Sequence, residues 1–335
     1  MISVEFERPD YVELVHQLAD NFKAKLSGNH LPVPQSLGSG YIWAEKLPMG
    51  MTVMVSDTTM KQDLSLTHLA SPHQYFCLQF NEYSSDRHIG ATPNKNRYGH
   101  DQQSVVSLSH TLIAEKVILP EAVSLRSVRF FFNKEQLGHL LGPVAMEEVL
   151  TKYFPFLITH KTLEPIATDY RVTLNELLVE KIEVPLRLNF IQNRVVLLLE
   201  KFIIKLHGRK DIGTGKLKRT DDETLRLMKV EALLVKDFSV SPPKIDELSR
   251  LSAMSPTKLK NDFKSLYGLP IYEYYQKNRM QKAKSLLLLG KFSIKEVGIM
   301  VGYSNLSHFA NTFKKEFNIL PSEVSAKDGV LVYNT

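Results

Sequence analysis

Cysteine is nearly absent: a chain of 335 residues holds one, Cys77. A single thiol excludes an internal disulfide framework and fits a reducing compartment. It lies in the apolar run QYFCLQF, so a buried structural thiol is expected rather than a nucleophile. No apolar run approaches the roughly 18 residues that a membrane helix needs, and no membrane association is expected. The first ten residues, MISVEFERPD, carry acids where a secretory leader is basic and then apolar, which points to a cytoplasmic protein. Metal and nucleotide motifs are missing as well. Eleven histidines include His68, His73, His88, His100 and His110, yet none form a His-x-His pair. Nor is there a Cys/His zinc spacing, a G-x-S-x-G elbow or a glycine-rich dinucleotide turn. GTGK near 215 is no phosphate loop, because Lys210 and Leu217 stand where glycine and Ser or Thr are required. No catalytic residue, metal or cofactor is expected.

What is present describes a globular chain, with 43% hydrophobic and 23% charged residues, long enough for two or three domains. The net charge of +6 is unevenly spread. Between 244 and 327 stand fourteen Lys and Arg against seven Asp and Glu, whereas the preceding residues balance to about zero. A neutral front and a basic back third suggest two domains, the second facing a polyanion. A solvated basic surface would give the same count.

Hydrophobic patterning divides the chain in the same places. Residues 10 to 26 have helical apolar spacing. From about 38 to 132 short runs rich in β-branched and aromatic residues follow, among them YIWAEKL, MTVMVSD, QYFCLQF, SVVSLSH and LRSVRFFF. Such runs, punctuated by turn residues, predict strands of a sandwich or barrel. The polar insert from 84 to 103 reads as a long loop. From 134 to 206 the spacing is helical again. NFIQNRVVLLLEKFIIKL, 189 to 206, is apolar on more than one face, as at a subunit interface or inside its own domain. The Gly- and Lys-rich stretch that follows reads as a linker.

The last third repeats itself. Ile245, Leu248, Leu251 and Ala253 match Ile294, Val297, Met300 and Gly302 at an offset of 49, and Ser255 matches Ser304. After a one-residue insertion Phe263, Tyr267, Gly268 and Glu273 match Phe313, Phe317, Asn318 and Glu323 at an offset of 50. Each copy predicts a short helix, a tight turn, a Ser N-cap and a longer helix. Ser293 and Glu296 have capping-box spacing, and Ser255-Pro256 puts proline at the first helical position. Gly268 and Asn318 stand where a left-handed C-cap is favoured. Two such units are helix-turn-helix motifs. A helical connector, 271 to 289, would span about 28 Å, close to the roughly 34 Å between successive major grooves on one face of DNA.

From about 240 to 326 the chain resembles the AraC/XylS transcription regulators. The resemblance rests on LSRLSAMSPTKLKNDFKSLYGLPIYEYYQKNRMQKAKSLLL and SIKEVGIMVGYSNLSHFANTFKKEFNILPSEV. Gly298 departs from the family's usual alanine and Asn318 from its common glycine. The resemblance implies an α+β chain. Residues 1–206 would form a β-rich, cupin-like or jelly-roll barrel with helical additions, for effector binding or dimerisation. A linker over 207–222 would lead to an all-α DNA-binding domain, 223–328, with helix-turn-helix units at about 245–268 and 293–318. Phe309, Phe313 and Phe317 are expected in its core, with Leu259, Phe263 and Leu266 in the first copy. The family's base-contacting positions carry over to Thr257, Lys260 and Asn261, and to Leu306, Ser307, His308 and Asn311. Asn suits the adenine edge and Lys the guanine edge. Lys258, Lys264, Arg279, Lys314 and Lys315 are expected at phosphates, which position without specifying sequence.

The implied partners are double-stranded DNA, RNA polymerase, a second copy of the chain and a small-molecule effector. A barrel lined by Tyr, Phe and Trp would suit a sugar, an aromatic acid or a siderophore; the alternative is a barrel that holds nothing and serves only to dimerise. Family resemblance leans toward an activator; a metal-dependent barrel enzyme fused to a DNA-binding domain is the alternative.

Overall fold

The computed structural model describes the 335 residues except 8, 72, 85–102, 156–163, 208–220, 289 and 325–335. The polar insert at 84–103 and the linker at 207–222 therefore lie almost wholly outside the described residues. The chain divides into two compact units, Met1–Thr224 and Leu225–Thr335.

The first unit opens with strand β1 (Ile2–Phe6) and helix α1 (Tyr11–Phe22). Asp10 caps α1, accepting hydrogen bonds from the Val12 and Glu13 amides. Eight strands follow: β2 (His30–Pro32), β3 (Gly38–Lys46), β4 (Thr52–Met60), β5 (Leu64–His68), β6 (Phe76–Ser84), β7 (Gln103–His110), β8 (Glu115–Leu119) and β9 (Ser124–Phe132). The helical region consists of α2 (Lys134–Leu141), α3 (Pro143–Glu148) with a π turn (Val149–Tyr153), α4 (Thr168–Leu177) and α5 (Arg187–His207). A two-residue strand β10 (Glu164–Pro165) precedes α4. Seven strands form one antiparallel sheet in the order β10-β7-β6-β9-β4-β3-β2, and three form a second in the order β1-β5-β8. The described strands thus form two sheets, an α+β arrangement.

The large sheet is a middle layer. Val53, Val55, Leu78, Phe80, Val128, Phe130 and Phe132 point to one face and pack with Tyr170, Leu174 and Leu177 of α4 and Ile191, Val195, Leu198 and Phe202 of α5. The alternate residues, Met54, Cys77, Gln79, Arg129 and Phe131, line clefts with Leu66 and Val117 of the small sheet. Both faces are covered, so apolar side chains stand on each, interrupted on the cleft face by buried Gln79 and Arg129. Trp43, expected inside a barrel, sits instead in the helix-facing core, its indole N–H donating to the Val179 carbonyl at 2.9 Å. Cys77 is buried 3.1 Å from the Tyr11 hydroxyl. Burial pushes its thiol up to about 12, which keeps it from acting as a thiolate nucleophile.

The second unit is helical: α6 (Asp221–Lys236), α7 (Ile245–Ser252), α8 (Pro256–Tyr267), α9 (Ile271–Leu288), α10 (Ile294–Met300) and α11 (Leu306–Phe317), then a 3-10 turn at Pro321–Glu323. It has two cores. Leu227, Val230 and Leu234 of α6 join Leu248, Leu259, Phe263 and Tyr274 in the first. Met280, Ala283, Leu286, Val297, Phe309 and Phe313 belong to the second. Helix α9 gives its first half to one core and its second half to the other, which makes it the rigid connector. Its 18 residues span about 27 Å. Buried Glu231 of α6 accepts a hydrogen bond from the Tyr274 hydroxyl at 2.8 Å, a partner that a buried carboxylate needs.

Candidate nucleic-acid interface

Each recognition helix forms because its start and end are chemically marked. Ser255 caps α8 by accepting from the Lys258 amide, proline occupies the first turn, and Gly268 closes the helix at φ +78°. Asn318 closes α11 in the same left-handed conformation, at φ +58°. The expected capping box at the start of α10 is present. The Ser293 amide donates to Glu296 Oε2 at 2.7 Å and the Glu296 amide to Ser293 Oγ at 3.2 Å. The Ser293 amide holds the Glu296 carboxyl below the usual range.

One expectation about the repeat is corrected. The cap of α11 is Asn305, whose Oδ1 accepts from the His308 amide at 3.0 Å; Ser304 is not the cap. The inserted residue therefore precedes the cap, and Ser255 corresponds to Asn305. Ala253 and Gly302 remain paired: both take left-handed backbone, at φ +49° and +77°. In the second copy only glycine fits, because a Cβ on Gly302 would stand 2.3 Å from the Phe238 carbonyl oxygen. Gly298 is closely packed without being compelled to be glycine. A Cβ there would meet Leu306 Cδ2 at 3.2 Å and Phe309 Cδ1 at 3.4 Å.

The two stripes of each helix are sorted by burial. Leu259, Phe263 and Leu266 are buried in α8, and Phe309 and Phe313 in α11. Phe317 is only half-buried, with the Lys284 ammonium 4.8 Å from its ring centre. On the opposite side Thr257, Lys258, Lys260, Asn261 and Lys264 are all exposed, as are Leu306, Ser307, His308, Asn311, Lys314 and Lys315. The spacing 257, 260, 261 and 264 gives one continuous stripe. Among the described residues, the side chains of Asn261 and Asn311 form no hydrogen bond, so their amides are available to a base edge. Lys258 is engaged, its ammonium 2.6 Å from Asp262 Oδ2. The His308 ring leans on Tyr303, with centroids 5.4 Å apart.

Arg279, expected at a phosphate, also makes contacts inside the protein. Its Nε donates to the Val301 carbonyl and one terminal nitrogen to the Gly302 carbonyl, both at 2.5 Å. The guanidinium lies 3.8 Å from the centre of the Tyr303 ring. Two donors are thus spent inside the protein, and Arg279 clamps the turn between α10 and α11. Periodicity carried that signal. Arg279 shares an i, i+4 stripe of α9 with Tyr275 and Ala283, both buried.

A pair of helix-turn-helix units on a shared connector, each with a buried aromatic stripe and an exposed polar one, defines a double helix-turn-helix DNA-binding domain. A helix-turn-helix domain family matches residues 248–327. The xylose operon regulatory protein of Escherichia coli K12 is 32% identical over 80 residues, 24% of this chain and 20% of that one. The probable transcription factor PqrA of Proteus vulgaris is 34% identical over 80 residues, 24% of this chain and 66% of that one. An AraC-type regulator of Chromobacterium violaceum, a solved structure, is 26% identical and covers 33% of this chain and 99% of its own, at a TM-score of 0.30. By its C-terminal domain the chain belongs to the AraC/XylS family. The match spans about a fifth of the length of the xylose regulator.

Among the described residues no helix is long and apolar enough to cross a membrane, and no group of three or more His, Cys, Asp or Glu is placed to hold a metal ion.

Proposed function

We propose that the chain is a sequence-specific transcription regulator that binds double-stranded DNA through α8 and α11. In this reading it is a cytoplasmic homodimer and an activator that contacts RNA polymerase. Residues 1–206 sense a small molecule and dimerise, 207–222 link, and 223–328 bind DNA. The observation that carries it is the duplicated exposed stripe: Asn261 and Asn311, fifty residues apart, occupy the same position on two capped helices joined by one connector.

Base contact and phosphate contact are separable by substitution. Asn311→Ala leaves a good helix former on an exposed face. It is expected to fold normally and to lose about 1–3 kcal/mol on a cognate site, selected from random sequence, with little change on random DNA. Lys315→Ala is expected to weaken both uniformly and to flatten the salt dependence by about one unit. Equal losses on cognate and random DNA for Asn311→Ala would move Asn311 to the backbone contacts.

Dimerisation is supported by α5. Its inner face is core, yet Leu197 and Ile204, seven residues apart on the outer face, are 37% and 62% exposed. A second copy of α5 would cover this stripe in a two-fold interface. Light scattering on the full chain at micromolar concentration is expected to give a dimer mass, and Leu197→Glu combined with Ile204→Glu a monomer. A monomeric parent protein would contradict the interface.

A further inference from the structure

The cleft between the two sheets of the first unit contains a buried cation that forms no ion pair with any described residue. Its empty space is about 450 Å³ when the open solvent at its mouth is counted, and a neighbouring recess of about 430 Å³, counted the same way, shares Met54, Leu66, Val117 and Arg129 with it. Arg129 is 6% exposed. Its Nε donates to Ser127 Oγ at 2.9 Å, and Ser127 in turn donates to Asn81 Oδ1 at 2.6 Å. Among the described residues no carboxylate pairs with the guanidinium. Glu115 lies on the cleft wall without reaching it.

Two further nitrogens of the same wall, His68 Nε2 and His110 Nδ1, are buried with no hydrogen-bond partner among the described residues. Burial lowers the His68 pKa, so that ring supplies no competing positive charge. A buried guanidinium is costly unless an anion meets it, and buried polar groups left unmet in a native fold call for an absent partner. Among the described residues the two terminal nitrogens of Arg129 have no hydrogen-bond partner, and they form the fork that matches a carboxylate bidentately. Beside it Phe6, Leu66, Val117 and Phe131 offer apolar surface, the usual lining of a small-molecule site. A neutral sugar would leave the charge uncompensated. A dicarboxylate would bring its second charge toward Glu115.

We infer that this cleft binds a small monocarboxylate with an apolar body, its carboxylate held by Arg129. The inference names the ligand class for the effector reading above and rests on that reading only for its consequence, a change in DNA affinity. The test uses the full chain, with thermal melting and calorimetric titration. The probes are sodium hexanoate and sodium benzoate, against hexan-1-ol, benzamide and D-xylose at matched concentration, with sodium chloride as the ionic control.

At least one carboxylate is expected to raise the melting temperature by mass action at up to about 10 mM, and the neutral probes are not. Arg129→Met is expected to weaken carboxylate binding at least about tenfold. Without ligand it should melt above the parent, because an unpaired buried charge has been removed. Arg129→Lys, which keeps the charge but loses the fork, should bind with intermediate affinity. Four results would overturn the inference: no shift from either carboxylate, equal shifts from the neutral probes, unchanged binding by Arg129→Met, or a ligand-free Arg129→Met that melts below the parent. DNA titrations on the same samples separate the two readings. Carboxylate binding without a change in DNA affinity keeps the site and removes its effector role. A neutral probe that binds and alters DNA affinity does the reverse.

Discussion

Phe313→Ala is expected to cost about 3–5 kcal/mol of stability in the C-terminal unit. The ring is fully buried, in edge contact with Phe309 at 5.9 Å between centroids and tilted against Phe317 at 4.7 Å. It belongs to the core that holds α10, α11 and the second half of α9 together. Truncation removes the transfer free energy of the ring and leaves a cavity between helices too constrained to close fully. Because α11 is then no longer held in place, affinity should fall on cognate and random DNA alike. That pattern separates Phe313 from Asn311, two positions away on the same helix. Denaturant titration of the full chain measures the first effect, in the transition assigned to the C-terminal unit. An undiminished midpoint would mean that α11 is not packed as described.

Arg279→Met is expected to cost about 2–3 kcal/mol, the scale of losing hydrogen bonds to a charged donor while stranding their acceptors. Methionine keeps the length and apolar bulk of the stem, so the cavity contribution is small. What disappears is the clamp on the Val301 and Gly302 carbonyls and the stacking on Tyr303. A second signature follows from this geometry. A residue at a phosphate would leave stability unchanged and flatten the salt slope by about one unit. A clamp lowers stability and leaves the slope of the remaining folded protein unchanged. Melting and salt titration of the one variant decide between these outcomes.

The C-terminal unit was legible because its information is local. Caps, left-handed stops and the 3.6-residue spacing of Phe309 and Phe313 are each written within a dozen residues, and the duplication shows them twice. What failed there was a register of one residue: Ser304 and Asn305 are both good caps, and only the Asn305 bond to the His308 amide chooses between them. The clamp made by Arg279 is the less obvious role of a basic residue, although its i, i+4 spacing from buried Tyr275 and Ala283 carries it. In the first unit five long strands were visible as β-branched and aromatic runs. The small sheet was not, since β1, β5 and β8 are five residues each and meet across long sequence separations, Ile2 opposite Leu64 and Leu64 opposite Leu119. Arg129 was invisible for a related reason. In SVRFFF it looks like one basic residue in an apolar run, and only pairing places it on the cleft face, opposite Met54 and Gln79.

The central claim, that this basic unit binds DNA, is tested most directly by the affinity of the full chain for double-stranded DNA across a range of salt. Lys264, Lys314 and Lys315 are exposed along the two recognition helices, while Arg279 gives two donors to the Val301 and Gly302 carbonyls and Lys258 is shared with Asp262. About three phosphate contacts predict a slope of log K against log salt near −3. A slope near zero, or no binding at low salt, would contradict the account.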